Sequence, residues 1–274
     1  MDLFEIAQEN IAALERRAAE LQASCRGDAP LAAAMAAFVD HIRAQGRISI
    51  NMRPWVLSRF LSRGHYQNIY DWATEMAALS GRPPDILLAE KLGSYLAARR
   101  TFDGAFADGL CFRYGALNIG GTGPTLYGQF CIVARSEYPD DGRGTVYLAG
   151  DSLDRYVEPG NELREDLIRQ DATPGSHCHC LALLKHYPQL DRPADAWPSL
   201  LCSDGDYLEA IFVAPFAPAQ VQEVRVSAND QRTLWDLAFD SFSRKLDPGE
   251  RALGQDFVDI LTLLPEHARN LVEV

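Results

Sequence analysis

Over the first two dozen positions Leu3, Ile6, Ala7, Ile11, Leu14 and Leu21 recur at helical spacing, with Glu15, Arg16, Arg17 and Glu20 turned elsewhere. This spacing predicts one amphipathic helix over 2–23, with a face suited to an interface. Cys25-Arg26-Gly27-Asp28-Ala29-Pro30 breaks it, and an alanine-rich helix follows over 31–44, ended by Gln45-Gly46. At Arg47 the period changes from helical to alternating, and Ile48, Ile50 and Met52 interleave with Ser49, Asn51 and Arg53 up to Pro54, as in a half-buried strand. Helical spacing returns over 55–60, 69–79 and 85–99, punctuated by Gly64 and by Gly81-Arg82-Pro83-Pro84.

Beyond Asp103-Gly104 the chain reads as strands, at 110–114, 128–133, 145–149, 207–213 and 221–226, separated by glycine-rich or Asp-Gly turns. Helical patterns close it at 233–245 and 249–264. The expected fold is α+β, a central mixed β-sheet with helical additions at both ends. Its expected division is a helical pair (1–46), an α+β core carrying the site (47–228) and C-terminal helices packed on that core (229–274).

Composition narrows the function classes. The 274 residues carry 26 basic and 38 acidic side chains, a formal charge of −12, which disfavours a broad nucleic-acid-binding surface but leaves room for a local basic pocket. Only Lys91, Lys185 and Lys245 are lysines, so nearly every cation is an arginine suited to two-pronged capture of carboxylate or phosphate. Six cysteines without a regular framework read as reduced thiols. The start has neither the basic segment nor the apolar segment of a secretory signal, and no stretch reaches a membrane span. A cytoplasmic protein is expected, or one delivered into a target cell without a classical signal.

Several short patterns invite chemistry. Gly150-Asp151-Ser152-Leu153 after an apolar strand resembles the GDSL esterase signature, with Ser152 as nucleophile; no later histidine has an aspartate three residues ahead of it, as that family's base block requires. The bland alternative is Asp151 or Ser152 as a helix cap. His177-Cys178-His179-Cys180 offers four metal-ligand types, but four consecutive residues cannot surround one ion tetrahedrally, and no metal is expected there. The run from Gly115 to Pro124 is rich enough in glycine to cradle a phosphate, although it completes neither nucleotide fingerprint. It reads as a turn that forms one lip of a pocket.

The segment Asp206-Tyr207-Leu208-Glu209-Ala210-Ile211-Phe212-Val213-Ala214-Pro215, followed by Val221-Gln222-Glu223-Val224-Arg225-Val226, resembles the closing segment of ADP-ribosyltransferases. The resemblance implies an ADP-ribosyltransferase-like sheet, NAD as substrate and an unknown macromolecular acceptor. It also implies Glu209 as the catalytic carboxylate that steadies the cationic transition state as nicotinamide leaves. Tyr207 stands where that family carries an acid or glutamine two residues earlier. The order arginine, serine motif, glutamate implies Arg113 and Ser152 as NAD-binding residues, with Arg53 a second anchor for phosphate. Tyr114, Tyr127 or Tyr147 would stack on the nicotinamide.

Over about 48–226 the chain also resembles a bacterial protein family of unknown function. The likeness rests on 48–54, Gly64-His65-Tyr66-Gln67-Asn68, Arg113-Tyr114-Gly115-Ala116-Leu117-Asn118 with Gly128-Gln129-Phe130-Cys131, and Gly150-Asp151-Ser152 with Tyr207-Leu208-Glu209-Ala210. Relatives carry histidines where this chain has Asn51 and Arg53. The reading that follows is an NAD-cleaving ADP-ribosyltransferase or NAD glycohydrolase, of the kind found among bacterial toxins and effectors with immunity or chaperone partners. The alternatives are a non-catalytic partner-binding protein and a serine hydrolase using Ser152.

Overall fold

The alternation that begins at Arg47 folds as the middle of a sheet. In the computed structural model, which describes residues 1–240, 246–267 and 269–274, the strands are β1 (Arg47–Met52), β2 (Arg113–Asn118), β3 (Phe130–Ala134), β4 (Val146–Leu148), β5 (Thr173–Pro174), β6 (Glu209–Phe212), β7 (Val221–Val226) and β8 (Leu271–Glu273). They form one eight-stranded sheet in the order β5-β4-β6-β2-β1-β3-β7-β8. Every neighbouring pair is antiparallel except β7 and β8, which makes the sheet mixed. The chain is thus α+β with a central mixed sheet and helices at both ends.

Register assigns the two faces. Leu148, Glu209, Ala116, Ser49, Val133 and Glu223 are successive cross-strand partners and lie on one face. Ile50, Ile132 and Val224 form a row on the opposite face. That apolar face belongs to the main core, where it packs with Met35, Phe38 and Ile42 from helix Ala29–Gln45 and with Phe257 and Ile260 from helix Pro248–Glu266. A second cluster joins Val146, Leu148 and Ile211 of the Glu209 face to Phe102, Phe106 and Phe112, and to Leu3, Phe4 and Ile6 near the start of the chain. Residues 1–46 therefore contribute to both cores and have none of their own.

Departures from the sequence expectations have local causes. The first helix is split into Leu3–Glu9 and Ile11–Ser24, because the Asn10 side chain between them donates to the carbonyls of Gln170 and Ala172, each at 2.9 Å. The helix expected over 85–99 stops at Leu92. Gly93 takes φ 54°, a short 3-10 turn intervenes, and a new helix runs Leu96–Gly104. The strand expected at 110–114 begins only at Arg113 and continues to Asn118. Helix Ala228–Asp240 accounts for the start of the expected 233–245 helix, whose remainder lies outside the described residues.

Candidate functional site

The Glu209 face is not fully covered. A cleft of about 490 Å³ opens over β1, β2 and β6, between helices Pro54–Arg63 and Ile69–Ser80 and the loop that carries Pro124 and Tyr127. The loop is pinned from below: Asn51 Nδ2 donates to the carbonyls of Thr122 at 2.8 Å and of Gly128 at 2.9 Å. Gly128 passes so close to β1 that a Cβ there would lie 2.1 Å from the carbonyl carbon of Met52. Of the run from Gly115 to Pro124, Gly115, Ala116 and Pro124 line the cleft.

Two carboxyl groups in different electrostatic states stand at its buried end. Glu209 is 3% exposed, and its Oε2 accepts the backbone amide of Ser152 at 2.9 Å. Burial raises its pKa well above the ordinary range, and the neighbouring Asp151 charge raises it further against the pull of Arg99. The Ser152 amide and hydroxyl and the Arg99 charge oppose this shift without cancelling it. Burial thus favours the neutral form of Glu209.

Asp151 has more donors. Its Oδ2 accepts Tyr207 at 2.7 Å and lies 2.9 Å from the Tyr127 hydroxyl, and the two tyrosine oxygens are 2.8 Å apart. Its Oδ1 caps helix Ser152–Tyr156 by accepting the amides of Leu153 at 2.8 Å and Asp154 at 3.1 Å. Burial opposes the charge, but these hydrogen bonds outweigh it and keep the carboxylate below its usual pKa. Neighbouring carboxyls shifted in opposite directions are the arrangement that separates acid and base roles within one site.

Between them and the helical wall lies Arg99, half-buried. Its guanidinium sits 4.0 Å from the Tyr114 ring centroid, 3.5 Å from Asp103 Oδ1 and 3.4 Å from Ser152 Oγ. Asp103 is itself buried and accepts the hydroxyls of Tyr114 and, at 2.7 Å, of Tyr70. Burial acts against the Arg99 charge, and the neighbouring Asp103 and Asp151 carboxylates offset that cost.

Of the residues singled out in the sequence, Glu209, Tyr114, Tyr127 and Arg53 line this cleft. Three do not. Arg113 is the cross-strand partner of Phe212, and Tyr147 that of Ala210, so both sit on the face opposite Glu209. The Arg113 guanidinium bonds the carbonyls of Val213 and Cys111 and pairs with Asp71; Tyr147 lines a separate cavity of about 420 Å³. Ser152 is 0% exposed and offers the site its amide, while its hydroxyl meets Arg99 and no histidine. That geometry does not make a serine nucleophile. Arg99, Asp103 and Tyr70 carried no sequence signal, and Asp151 was legible only as a cap. In His177-Cys178-His179-Cys180, His177 faces Glu15, His179 meets Arg43, and Cys180 joins the main core.

The mouth is basic and aromatic. Arg53, Trp55, Arg59, Arg63, His65, Trp72 and Lys91 line it, with Arg59 and Arg63 both paired to Glu75. No family model matches the chain, and no curated protein is significantly similar to it.

Proposed function

We propose that this protein cleaves the bond between nicotinamide and ribose in NAD and passes the ADP-ribosyl group to a nucleophile, either a macromolecular side chain or water. The observation that carries the reading is the gradient along one cleft, from cations at the mouth to the buried Glu209 and the half-buried Asp151 at the base. NAD has the matching polarity, an anionic diphosphate and a ribose carbon that becomes cationic as the glycosidic bond breaks.

The bonding pair leaves with the nicotinamide nitrogen, which becomes neutral, and C1′ of the ribose takes the positive charge. Asp151, ionised and fixed by two tyrosines and two amides, supplies the negative charge opposite that carbon. It also takes the proton released when the incoming nucleophile bonds to C1′. Glu209, in its neutral form, positions Asp151 by holding the start of helix Ser152–Tyr156 and donates a hydrogen bond, keeping its proton, to a ribose hydroxyl. This gives Glu209 a binding role and moves the charge-stabilising role to its neighbour. The missing acid at Tyr207 is thereby accounted for, since the tyrosine orients Asp151.

The test is release of free nicotinamide from NAD, followed chromatographically with a mixed lysate as source of acceptors. The parent should release it, and Asp151→Asn should be slower by about 100-fold or more, the scale of removing one preorganised charge. Absence of release by the parent, or equal release by Asp151→Asn and Glu209→Gln, would falsify the reading.

A further inference from the structure

The helices around the cleft pair most of their cations. Arg59 and Arg63 share Glu75, Arg82 meets Glu90, and Arg100 bonds Asp85 at 2.7 Å. Lys91 and Arg53 are treated differently. Both line the mouth, and neither has an ion-pair or hydrogen-bond partner for its side-chain charge among the described residues. This occurs in a chain with 38 acidic residues and a formal charge of −12. Lys91 instead stands over aromatic faces, its Nζ 4.5 Å from the Trp55 ring centroid and 5.6 Å from that of Trp72. Partial burial lowers its pKa, and the Arg53 charge lowers it again, as two neighbouring cations that repel each other would. A polyvalent anion bridging them would relieve both effects, and a planar ring beside it would find two indole faces.

We infer that Lys91, Arg53, Trp55 and Trp72 form a nucleotide subsite, in which the two cations hold the phosphates and an indole stacks on the base. The inference rests on the proposed NAD reaction for its choice of ligand, and it fixes the direction of that substrate. The ADP half lies at the mouth and the nicotinamide ribose at Asp151 and Glu209.

Trp55 and Trp72 make the subsite directly observable, because ring stacking and anion binding at an indole quench its fluorescence. The experiment titrates ADP-ribose, and separately inorganic pyrophosphate, into the parent, Lys91→Gln, Arg53→Gln and Arg100→Gln. Saturable quenching by ADP-ribose is expected, weakened about tenfold or more in Lys91→Gln and in Arg53→Gln, the scale of losing one hydrogen bond to a charged group. The parent's affinity should fall with added salt. Arg100→Gln, which removes a paired surface arginine, should bind like the parent. Trp55→Phe should abolish a large part of the signal. Quenching by pyrophosphate that saturates at higher concentration supports the phosphate grip without the ring. No saturable response to ADP-ribose, or an unchanged affinity in Lys91→Gln, overturns the subsite. Tight ADP-ribose binding with no cleavage of NAD leaves the subsite standing and removes the reaction. Cleavage with a KM unaltered by Lys91→Gln does the reverse.

Discussion

The Glu209 carboxyl accepts the amide of Ser152 at 2.9 Å, and this bond ties β6 to the first turn of the helix that Asp151 caps. Glu209→Gln keeps an acceptor of the same reach and should fold with near-parental stability. Glu209→Ala leaves a buried amide unpaired and a void behind it, at a cost of about 2–4 kcal/mol. Urea denaturation of the two variants checks the difference. Equal midpoints would mean that the bond contributes nothing.

The same residue should shape the pH dependence of stability. Its folded pKa is raised, so above its ordinary value of 4.5 the unfolded chain gives up a proton that the folded chain retains. Stability contributed by the neutral acid is therefore full at low pH and is lost as pH rises toward the folded pKa, at up to about 1.4 kcal/mol per pH unit. Glu209→Gln should flatten that decline. Asp151 acts in the opposite sense: its lowered pKa contributes stability above 3.8 that disappears as pH falls through its folded value. Thermal melts between pH 5 and pH 9 test the first claim, and a parallel slope in parent and variant would refute it.

Gly128 should tolerate no side chain. A Cβ there would collide with the backbone of Met52 and Arg53, which is not a flexible group that can swing aside. Gly128→Ala is expected to destabilise by about 3 kcal/mol or more, or to prevent folding. Gly27→Ala, where a Cβ meets nothing within 4 Å, should be nearly silent. Comparing soluble yield and denaturation midpoint for the pair separates local collision from a general effect of losing glycine.

His186 is completely buried, and neither of its ring nitrogens has a hydrogen bond. Burial, reinforced by the Lys185 charge, lowers its pKa to about 4. As pH falls below its ordinary 6.5, the unfolded chain gains a proton that the folded chain refuses, and stability drops until about pH 4. His186→Leu removes a ring without a hydrogen bond, whose Nδ1 lies 3.9 Å from Asp206 Oδ2, so at pH 7 it should be neutral or stabilising within about 1 kcal/mol, with a shallower acid slope. His179, also lowered to about 4 by burial and by Arg43, keeps the remainder of that slope. A loss of several kcal/mol in His186→Leu would show that the approach of Asp206 to the ring carries weight in the folded state.

How far the sequence speaks for this molecule depends on the length scale of the signal. Alternation of valines put β7 at Val221–Val226, with the same bounds in the structure. β2 starts at Arg113 rather than at 110 because the carbonyls of Leu110 and Phe112 accept the Asn68 side chain, at 2.8 and 3.2 Å, and no local pattern announces a partner so distant. β5 and β8 are two and three residues long, too short to carry a period. The site shows the limit most clearly at Arg99 and Arg100, chemically identical neighbours. One helical step, about 100° of rotation, sends the first to Tyr114, Asp103 and Ser152 and the second to Asp85 on the surface. Likewise Arg113 and Tyr114 differ by one position in a strand, and only the pairing of Ala116 with Glu209 tells which of them shares the Glu209 face.

The strand order also dictates a sequence of assembly. β1 lies between β2 and β3, so the middle of the sheet can close as soon as those three have been made. β4 and β5, next along the chain, have no place to dock, because their link to β2 is β6, which follows them by more than thirty residues. Until β6 arrives, β2 presents a bare edge of amides and carbonyls, a template for pairing with other chains. The strand that brings Glu209 into the cleft is thus also the one whose insertion removes this hazard. A substitution that slows its insertion would be felt in the yield of soluble protein before it was felt in any measurement on the folded molecule.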